Sequence, residues 1–352
     1  MNKRIDWLDI GKGLGILLVM LGHTDIPAPI KTYIYTFHMP LFFFLSGYLF
    51  KSDKFSNLRA FISRRMKTLI FPYLCFSFIA YIWFVILFNF GQVDYNHNLL
   101  MPFIGSFIAI RKSSWTVQSG PLWFVNCLLC TELLFYLISK LGRTKKRIGI
   151  VLIFVSALGC IYNKCIGKPL PWSIDVTMIS VGFYGVGYLY KEYKMKLEQF
   201  INFKLFLLFM AINIVTGYLN FVHSGERVDL YNSNIGNVFL FYISALSGIG
   251  AFVILIKRMK TNSILLFLGD NSLIYLAFHQ KIVFSVFDLV IQNTGLDSEK
   301  LLEIPVINGL IYTLMASILI VPMVYFINHY FPFILGKTKK RGGSRHIESY
   351  AS

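Results

Sequence analysis

Apolar stretches of roughly 20 residues recur along almost the whole of this 352-residue chain. A helix of about that length crosses the hydrocarbon core of a bilayer, which is about 30 Å thick. Hydrophobic residues make up 56% of the chain and charged residues only 14%, well below the roughly 25% charged residues of soluble domains. We therefore predict an all-α, polytopic integral membrane protein with about ten transmembrane helices. The predicted spans are residues 7–24, 32–50, 69–90, 120–139, 148–163, 172–190, 201–221, 235–256, 263–290 and 304–331.

Lysine and arginine residues concentrate in alternate connections between the predicted spans, and they give the chain a net charge of +17. Connections rich in these residues stay in the cytoplasm. The pattern predicts that both termini are cytoplasmic, with one membrane domain at 1–336 and a short polar cytoplasmic tail at 337–352. It assigns the positive charge to topology and to membrane lipids, and it argues against nucleic acid. We expect a multi-pass protein of the cell membrane, specifically a bacterial cytoplasmic membrane.

The first predicted span carries two ionisable residues that are costly in hydrocarbon, Lys12 and His23. They are eleven residues apart, so on a helix they lie about 20° apart around the axis and about 16 Å apart along it. Gly15 and Gly22 lie on the same face, where the missing side chains permit close approach. The alternative interpretation is local, because Asp9 lies three residues before Lys12 and can pair with it.

Further ionisable residues fall within other predicted spans: His38, Glu132, His279 and Lys281. His23, His38 and His279 are all expected in the outer half of the membrane. No H-x-x-x-H or H-E-x-x-H spacing is present, so we predict no metal site. An imidazole that titrates near neutral pH is better suited to taking a proton from a hydroxyl group.

The predicted inner connection at 51–67 alternates apolar and basic residues at helical spacing, which is typical of an amphipathic helix on the inner membrane surface. It ends with the basic residues Arg64, Arg65 and Lys67.

Five stretches of the sequence, taken together, resemble the successive signatures of the acyltransferase-3 family of integral membrane acyltransferases, and within it the fucose-4-O-acetylase-like branch. They are WLDIGKGLGILLVMLGH (7–23), FHMPLFFFLSGYLF (37–50), FISRRMKTLIFPY (61–73), GPLWFVNCLL (120–129) and GDNSLIYLAFH (269–279). One departure concerns the basic residues at 64–67. Many relatives carry R-x-x-R there, whereas this chain reads Arg64-Arg65-Met66-Lys67, and lysine lacks the two-pronged donor geometry of arginine.

The resemblance implies transfer of an acetyl or other short acyl group from cytoplasmic acyl-CoA to a hydroxyl of a cell-surface glycan or lipid-linked sugar at the outer face. It implies His23 as the catalytic residue, acting as general base, and we count His38 as a second catalytic candidate. Lys12, Arg64, Arg65 and Lys67 are expected on the CoA side. The residues that we expect to contact the acceptor are Asp9, Trp123, Glu132 and His279.

No tightly bound cofactor is expected, because acetyl-CoA acts as a co-substrate. The expected partners are the acyl-CoA donor, the sugar or glycan acceptor and membrane lipids, and a homo-oligomer remains open. The competing functional class is a transporter or exporter of envelope glycans. Transporters are often built from inverted repeats with broken spans, and the sequence shows no convincing repeat of that kind.

Overall fold

A computed structural model describes residues 5–51, 54–294 and 304–337 of the chain. The predicted tail lies outside the described residues from position 338 onward. Throughout the described ranges the secondary structure is helical, apart from an isolated β-bridge between Asp229 and Asn234. The helices are α1 (Asp6–Gly22), α2 (Ala28–Leu49), α3 (Leu58–Arg65), α4 (Phe71–Asn89), α5 (Leu100–Ile108), α6 (Ser113–Thr116), α7 (Trp123–Leu141), α8 (Lys145–Cys165), α9 (Ile174–Glu198), α10 (Phe203–Ser224), α11 (Val238–Arg258), α12 (Ser263–Asp270), α13 (Ser272–Phe278), α14 (Ser285–Thr294) and α15 (Pro305–Tyr330).

Seven helical segments of the described ranges are long and apolar enough to cross a membrane. They are Leu58–Asn89, Gly120–Leu141, Lys145–Cys165, Phe203–Ser224, Val238–Arg258, Ser272–Ile291 and Pro305–Tyr330. The all-α, multi-pass prediction is confirmed, whereas the count of ten and the side on which the termini lie are not. The other three predicted spans fall on α1, α2 and α9. The first of these has only 17 residues and carries the buried Asp9.

Two of the membrane helices contain a π-helical turn, which is a rare insertion that is frequent at functional sites. Met66–Ile70 joins α3 to α4 and directly follows Arg64 and Arg65. His279–Phe284 joins α13 to α14 and begins at a predicted site residue. Each π turn shifts the helix face, so side chains before and after it point in directions that a regular helix would not give them.

Glycines bring α1 against α12 at backbone contact. A Cβ atom at Gly13 would lie 2.2 Å from the carbonyl oxygen of Leu265, and one at Gly269 would lie 2.0 Å from that of Asp9. Real Cβ atoms do not approach so closely, so both positions require glycine. Because α13 follows α12 directly, this contact also determines how α13 lies relative to α1, and α1 packs against α13.

Candidate active site

His23, the C-cap residue directly after α1, contacts His279, the first residue of the second π turn. The Nδ1 atom of His23 lies 3.1 Å from Nε2 of His279 and 2.9 Å from the carbonyl oxygen of Val19. The Nδ1 atom of His279 lies 2.8 Å from the carbonyl oxygen of Tyr275. His279 is fully buried, whereas His23 is only partly buried.

These contacts determine the protonation pattern of the neutral pair. A carbonyl oxygen can only accept, so Nδ1 of each imidazole carries its proton. His279 then presents an unprotonated Nε2, which shares the single Nδ1–H of His23 with the Val19 carbonyl oxygen in a three-centre hydrogen bond. The Nε2 atom of His23 is left with a free lone pair, which is the form that a general base requires.

His38 is buried in α2 and belongs to the same outer region. Its Nδ1 atom donates to the carbonyl oxygen of Ile34 at 2.9 Å, and its ring centroid lies 4.7 Å from that of Tyr35. It is close enough to His23 to interact with it electrostatically. The three predicted histidines therefore come together. In the part of the chain that the structure describes, no group of three or more His, Cys, Asp or Glu residues is arranged to hold a metal ion.

Lys12 contacts Asp9, with Nζ lying 3.3 Å from a carboxylate oxygen. This is the local ion pair that the sequence offered as the alternative interpretation of Lys12. Asp9 lies in the first turn of α1. The glycine face between Lys12 and His23 is covered by aromatic side chains of α2. A Cβ atom at Gly15 would meet the Phe42 ring at 2.9 Å, and one at Gly22 would meet the Tyr35 ring at 3.1 Å.

Arg65 forms a buried ion pair with Glu132 of α7, with Nε lying 2.6 Å from a carboxylate oxygen. Its guanidinium also lies over the Phe61 ring, 5.4 Å from the centroid. The structure thus brings Glu132, predicted to contact the acceptor, next to a residue predicted to contact CoA. Arg64 lies over the ring of Phe55, and Lys67 is exposed on the first π turn.

Three lysines that the sequence analysis did not single out share this region: Lys51, Lys54 and Lys191. Burial lowers the pKa of Lys54, and so, to a smaller extent, do the charges of Lys51, Arg64, Lys191 and Arg65. We call Lys51, Lys54, Arg64, Arg65 and Lys191 the basic cluster. In the sequence, basic residues next to a span indicate topology, so the convergence of Lys191 of α9 with the basic residues of the 51–67 connection was not apparent.

Trp123 is the first residue of α7. It lies next to a set of polar contacts that the sequence did not predict. The Arg111 guanidinium lies 5.9 Å from the Trp123 ring centroid. Arg111 is buried and forms an ion pair with Asp175, and it donates to the carbonyl oxygen of Leu230 at 2.8 Å and to Ser233 Oγ at 3.0 Å. One arginine therefore connects the segment before α7, the start of α9 and the loop after α10.

Lys281 lies on the second π turn, two residues after His279. It is half-buried, and its side chain lies near Gly120, at the start of the segment that leads into Trp123. The described ranges contain no carboxylate within ion-pair distance of its ammonium group. This part of the fold therefore contains the histidine pair, a tryptophan and a lysine without a carboxylate partner among the described residues.

One protein family matches the part of the chain that contains all of these residues. The family model described as Acyltransferase domain, that of the acyltransferase-3 family, matches residues 5–334. The chain belongs to the acyltransferase-3 family. It is a membrane acyltransferase, and the five signatures that carried the resemblance all lie within the matched range. No curated protein and no solved structure matches the chain. The assignment to the fucose-4-O-acetylase-like branch stays a prediction.

For an acyltransferase, this arrangement provides two chemically distinct regions. One is a cluster of positive charge suited to phosphate groups. The other is an imidazole with a free basic nitrogen, held by a second imidazole, which is suited to activating a hydroxyl. The helix α1 carries His23 at one end and the Lys12–Asp9 pair toward the other.

Proposed function

We propose that this acyltransferase transfers an acetyl group from cytoplasmic acetyl-CoA to a hydroxyl of a cell-surface glycan or lipid-linked sugar at the outer face of the cell membrane. The observation that carries the proposal is the pair of contacts made by Nδ1 of His23, to the Val19 carbonyl oxygen and to Nε2 of His279, since together they keep the proton on Nδ1 and leave Nε2 of His23 unprotonated. This is the atom that must accept the hydroxyl proton.

In the proposed reaction, Nε2 of His23 removes the proton from the acceptor hydroxyl as the oxygen attacks the thioester carbonyl carbon. The tetrahedral intermediate collapses with cleavage of the carbon–sulfur bond. The CoA thiolate takes the proton from the His23 imidazolium and leaves as free thiol. The products are the O-acetylated sugar and CoA, and His23 returns to its neutral form without a covalent acyl-enzyme.

The basic cluster and Lys67 are the proposed binding residues for the CoA phosphates. Burial and the charges of Lys51, Arg64, Lys191 and Arg65 lower the pKa of Lys54, so a bound phosphate would relieve the repulsion among these charges. Of the two arginines, Arg65 also forms a buried ion pair with Glu132, which neutralises part of its charge.

On the acceptor side, Trp123 offers a flat apolar surface for a sugar ring, and the contacts of Arg111 support its position. His38 and Lys281 would line the same region. The pantetheine arm would follow the face of α1 between Lys12 and His23, where the Phe42 ring over Gly15 must turn aside.

Purified full-length protein incubated with labelled acetyl-CoA and sugar acceptors tests the proposal. We expect release of free CoA and transfer of label to the sugar. His23→Ala should lower kcat/KM by about 10²- to 10⁴-fold, the usual contribution of a general base. His223→Ala, which changes an exposed histidine at the end of α10, serves as the matched control. Transfer by His23→Ala at the wild-type rate would overturn the assignment, and sugar movement without CoA release would indicate an exporter.

A further inference from the structure

A polar cavity of about 320 Å³ lies between the start of α2, the end of α10 and the loop that follows it. Its walls include Lys31, Thr32, Phe221, Glu226, Arg227 and Asn232. We call this cavity the outer polar pocket. Its volume is at the lower end of the range for small-molecule pockets, about 300–1,000 Å³, so it suits one compact ligand unit.

The walls of the outer polar pocket provide both hydrogen-bond donors and acceptors. The Nε atom of Arg227 is buried and has no hydrogen-bond partner within the described ranges. One carboxylate oxygen of Glu226 accepts from Asn234 at 2.8 Å, and the other has no described partner. Thr32 adds a hydroxyl group, and Phe221 adds an aromatic ring. Closely spaced hydroxyl groups, each both donor and acceptor, are the ligand chemistry that such walls complement.

The charges of the pocket walls balance. Lys31 and Arg227 are positive, and Glu226 and Asp229 are negative. Arg227 pairs with Asp229 at 3.7 Å, and Asp229 also accepts from the backbone N–H of Tyr231 at 3.0 Å. Near-zero net charge favours a neutral polyhydroxylated ligand over a carboxylate or phosphate, which would require an excess of positive charge.

Side chains in successive contact, those of Arg227, Tyr35 and His38, lie between the pocket and the catalytic histidines. The Arg227 guanidinium lies 4.6 Å from the Tyr35 ring centroid, and that ring lies 4.7 Å from His38. The hydroxyl of Tyr35 donates to the carbonyl oxygen of Gly22 at 3.4 Å, one residue before His23. Lys31 interacts electrostatically with His23. A glycan that binds in the pocket with one unit would have to pass Arg227 and Tyr35 to bring its next unit to His23.

We propose that the outer polar pocket is a saccharide subsite, which binds a neutral sugar unit adjacent to the unit that is acylated. This inference rests on the proposed function and names what that function leaves open, namely that the acceptor is an oligosaccharide or longer glycan rather than a free monosaccharide. The subsite determines specificity, and it takes no part in the proton transfer at His23.

Sugar-stimulated CoA release by the full-length protein in lipid nanodiscs tests the subsite. The acceptors are a panel of methyl glycosides and the corresponding disaccharides: a neutral hexose, a 6-deoxyhexose, an N-acetylhexosamine and a hexuronic acid. For the accepted sugar, we expect a lower KM for the disaccharide than for the monosaccharide. Thr32→Trp, which fills the cavity with an indole, and Arg227→Gln should reduce that advantage about tenfold. Lys164→Gln, at an exposed position that does not line the pocket, should retain it.

The outcomes separate the two proposals. If no saccharide accelerates CoA release, the proposed function and the subsite both fail. If saccharides accelerate it but both pocket variants keep the full disaccharide advantage, the subsite alone fails. An advantage confined to the hexuronic acid series would overturn the assignment of a neutral ligand. Thermal unfolding of each variant, with Arg227→Lys as the conservative comparison, identifies a variant that has lost its fold.

Discussion

The Nε2 atom of His279 lies 3.1 Å from Nδ1 of His23, although the two residues are 256 positions apart in the chain. Because Nδ1 of His279 donates to the Tyr275 carbonyl oxygen, its Nε2 can accept the Nδ1 proton of His23. Together with the Val19 carbonyl oxygen, which accepts from the same Nδ1–H at 2.9 Å, the contact holds His23 in the tautomer that carries its lone pair on Nε2.

Replacing His279 should therefore act through His23. His279→Leu removes one of the two groups that accept the Nδ1 proton and should lower kcat by about 10-fold, the size expected for one lost hydrogen bond when the Val19 carbonyl oxygen still accepts. His279→Gln, whose amide oxygen can accept the same proton, should recover part of the loss. Measuring kcat and KM across pH distinguishes this from a structural effect, because the acidic limb of the kcat profile should shift in His279→Leu. An unshifted profile would contradict the positioning role.

The KM for acetyl-CoA should rise with pH. Burial and the neighbouring cations lower the pKa of Lys54 in the free protein, and a bound phosphate would raise it again. Between the free and bound pKa values, binding takes up a proton, so affinity weakens as pH increases.

Lys54→Met should raise the KM for acetyl-CoA at neutral pH and flatten its pH dependence, because the titrating group is gone. Lys54→Arg should keep the low KM with the same flattened slope, since arginine stays charged. Arg143→Gln, at an exposed position in the connection between α7 and α8, is the matched control. A wild-type KM that is constant over the alkaline range would argue against a role for Lys54.

The Arg65–Glu132 ion pair should stabilise the fold only as an intact pair. Breaking it with Glu132→Leu leaves a buried charge without its partner, which costs about 3–5 kcal/mol in typical cases. The double variant Arg65→Met with Glu132→Leu removes both charges and should recover most of the thermal stability. The unfolding temperatures of the wild type, Glu132→Leu and the double variant in detergent test this prediction. Equal loss in the single and double variants would show that the pair itself is not the cause.

The same variants separate stability from donor binding. If Arg65 also contributes to CoA binding, the double variant should recover its thermal stability while its KM for acetyl-CoA stays raised. Recovery of both quantities would limit Arg65 to a structural role and leave phosphate binding to Arg64 and the lysines.

Two glycines of α1 should differ sharply in their tolerance of alanine. Gly13→Ala places a Cβ atom 2.2 Å from the backbone oxygen of Leu265, which cannot move without displacing α12. Gly15→Ala meets only the end of the Phe42 ring at 2.9 Å, and a side chain can turn aside. We expect Gly13→Ala to lower the unfolding temperature markedly and Gly15→Ala to lower it little. Similar unfolding temperatures for the two variants would contradict the close α1–α12 contact.

Much of the fold follows from local sequence. A helix satisfies its backbone hydrogen bonds within one segment, so an apolar run of sufficient length is enough to indicate it. The helical fold and the shared face of Lys12 and His23 have this origin. The helix at 51–67 was predicted on the membrane surface, whereas Leu58–Arg65 is the start of the long apolar helix Leu58–Asn89. The two π turns were not predicted, because one inserted residue barely alters an apolar pattern.

The pairing of side chains between helices depended on tertiary structure. The sequence placed His23 and His279 at similar depth, but it could not show that their rings touch, nor that Glu132 pairs with Arg65 or Asp175 with Arg111. Such contacts depend on which helix faces meet and how closely. Glycines at Gly13 and Gly269 decide this for α1 and α12, because they let two backbones approach to a distance that any side chain would prevent.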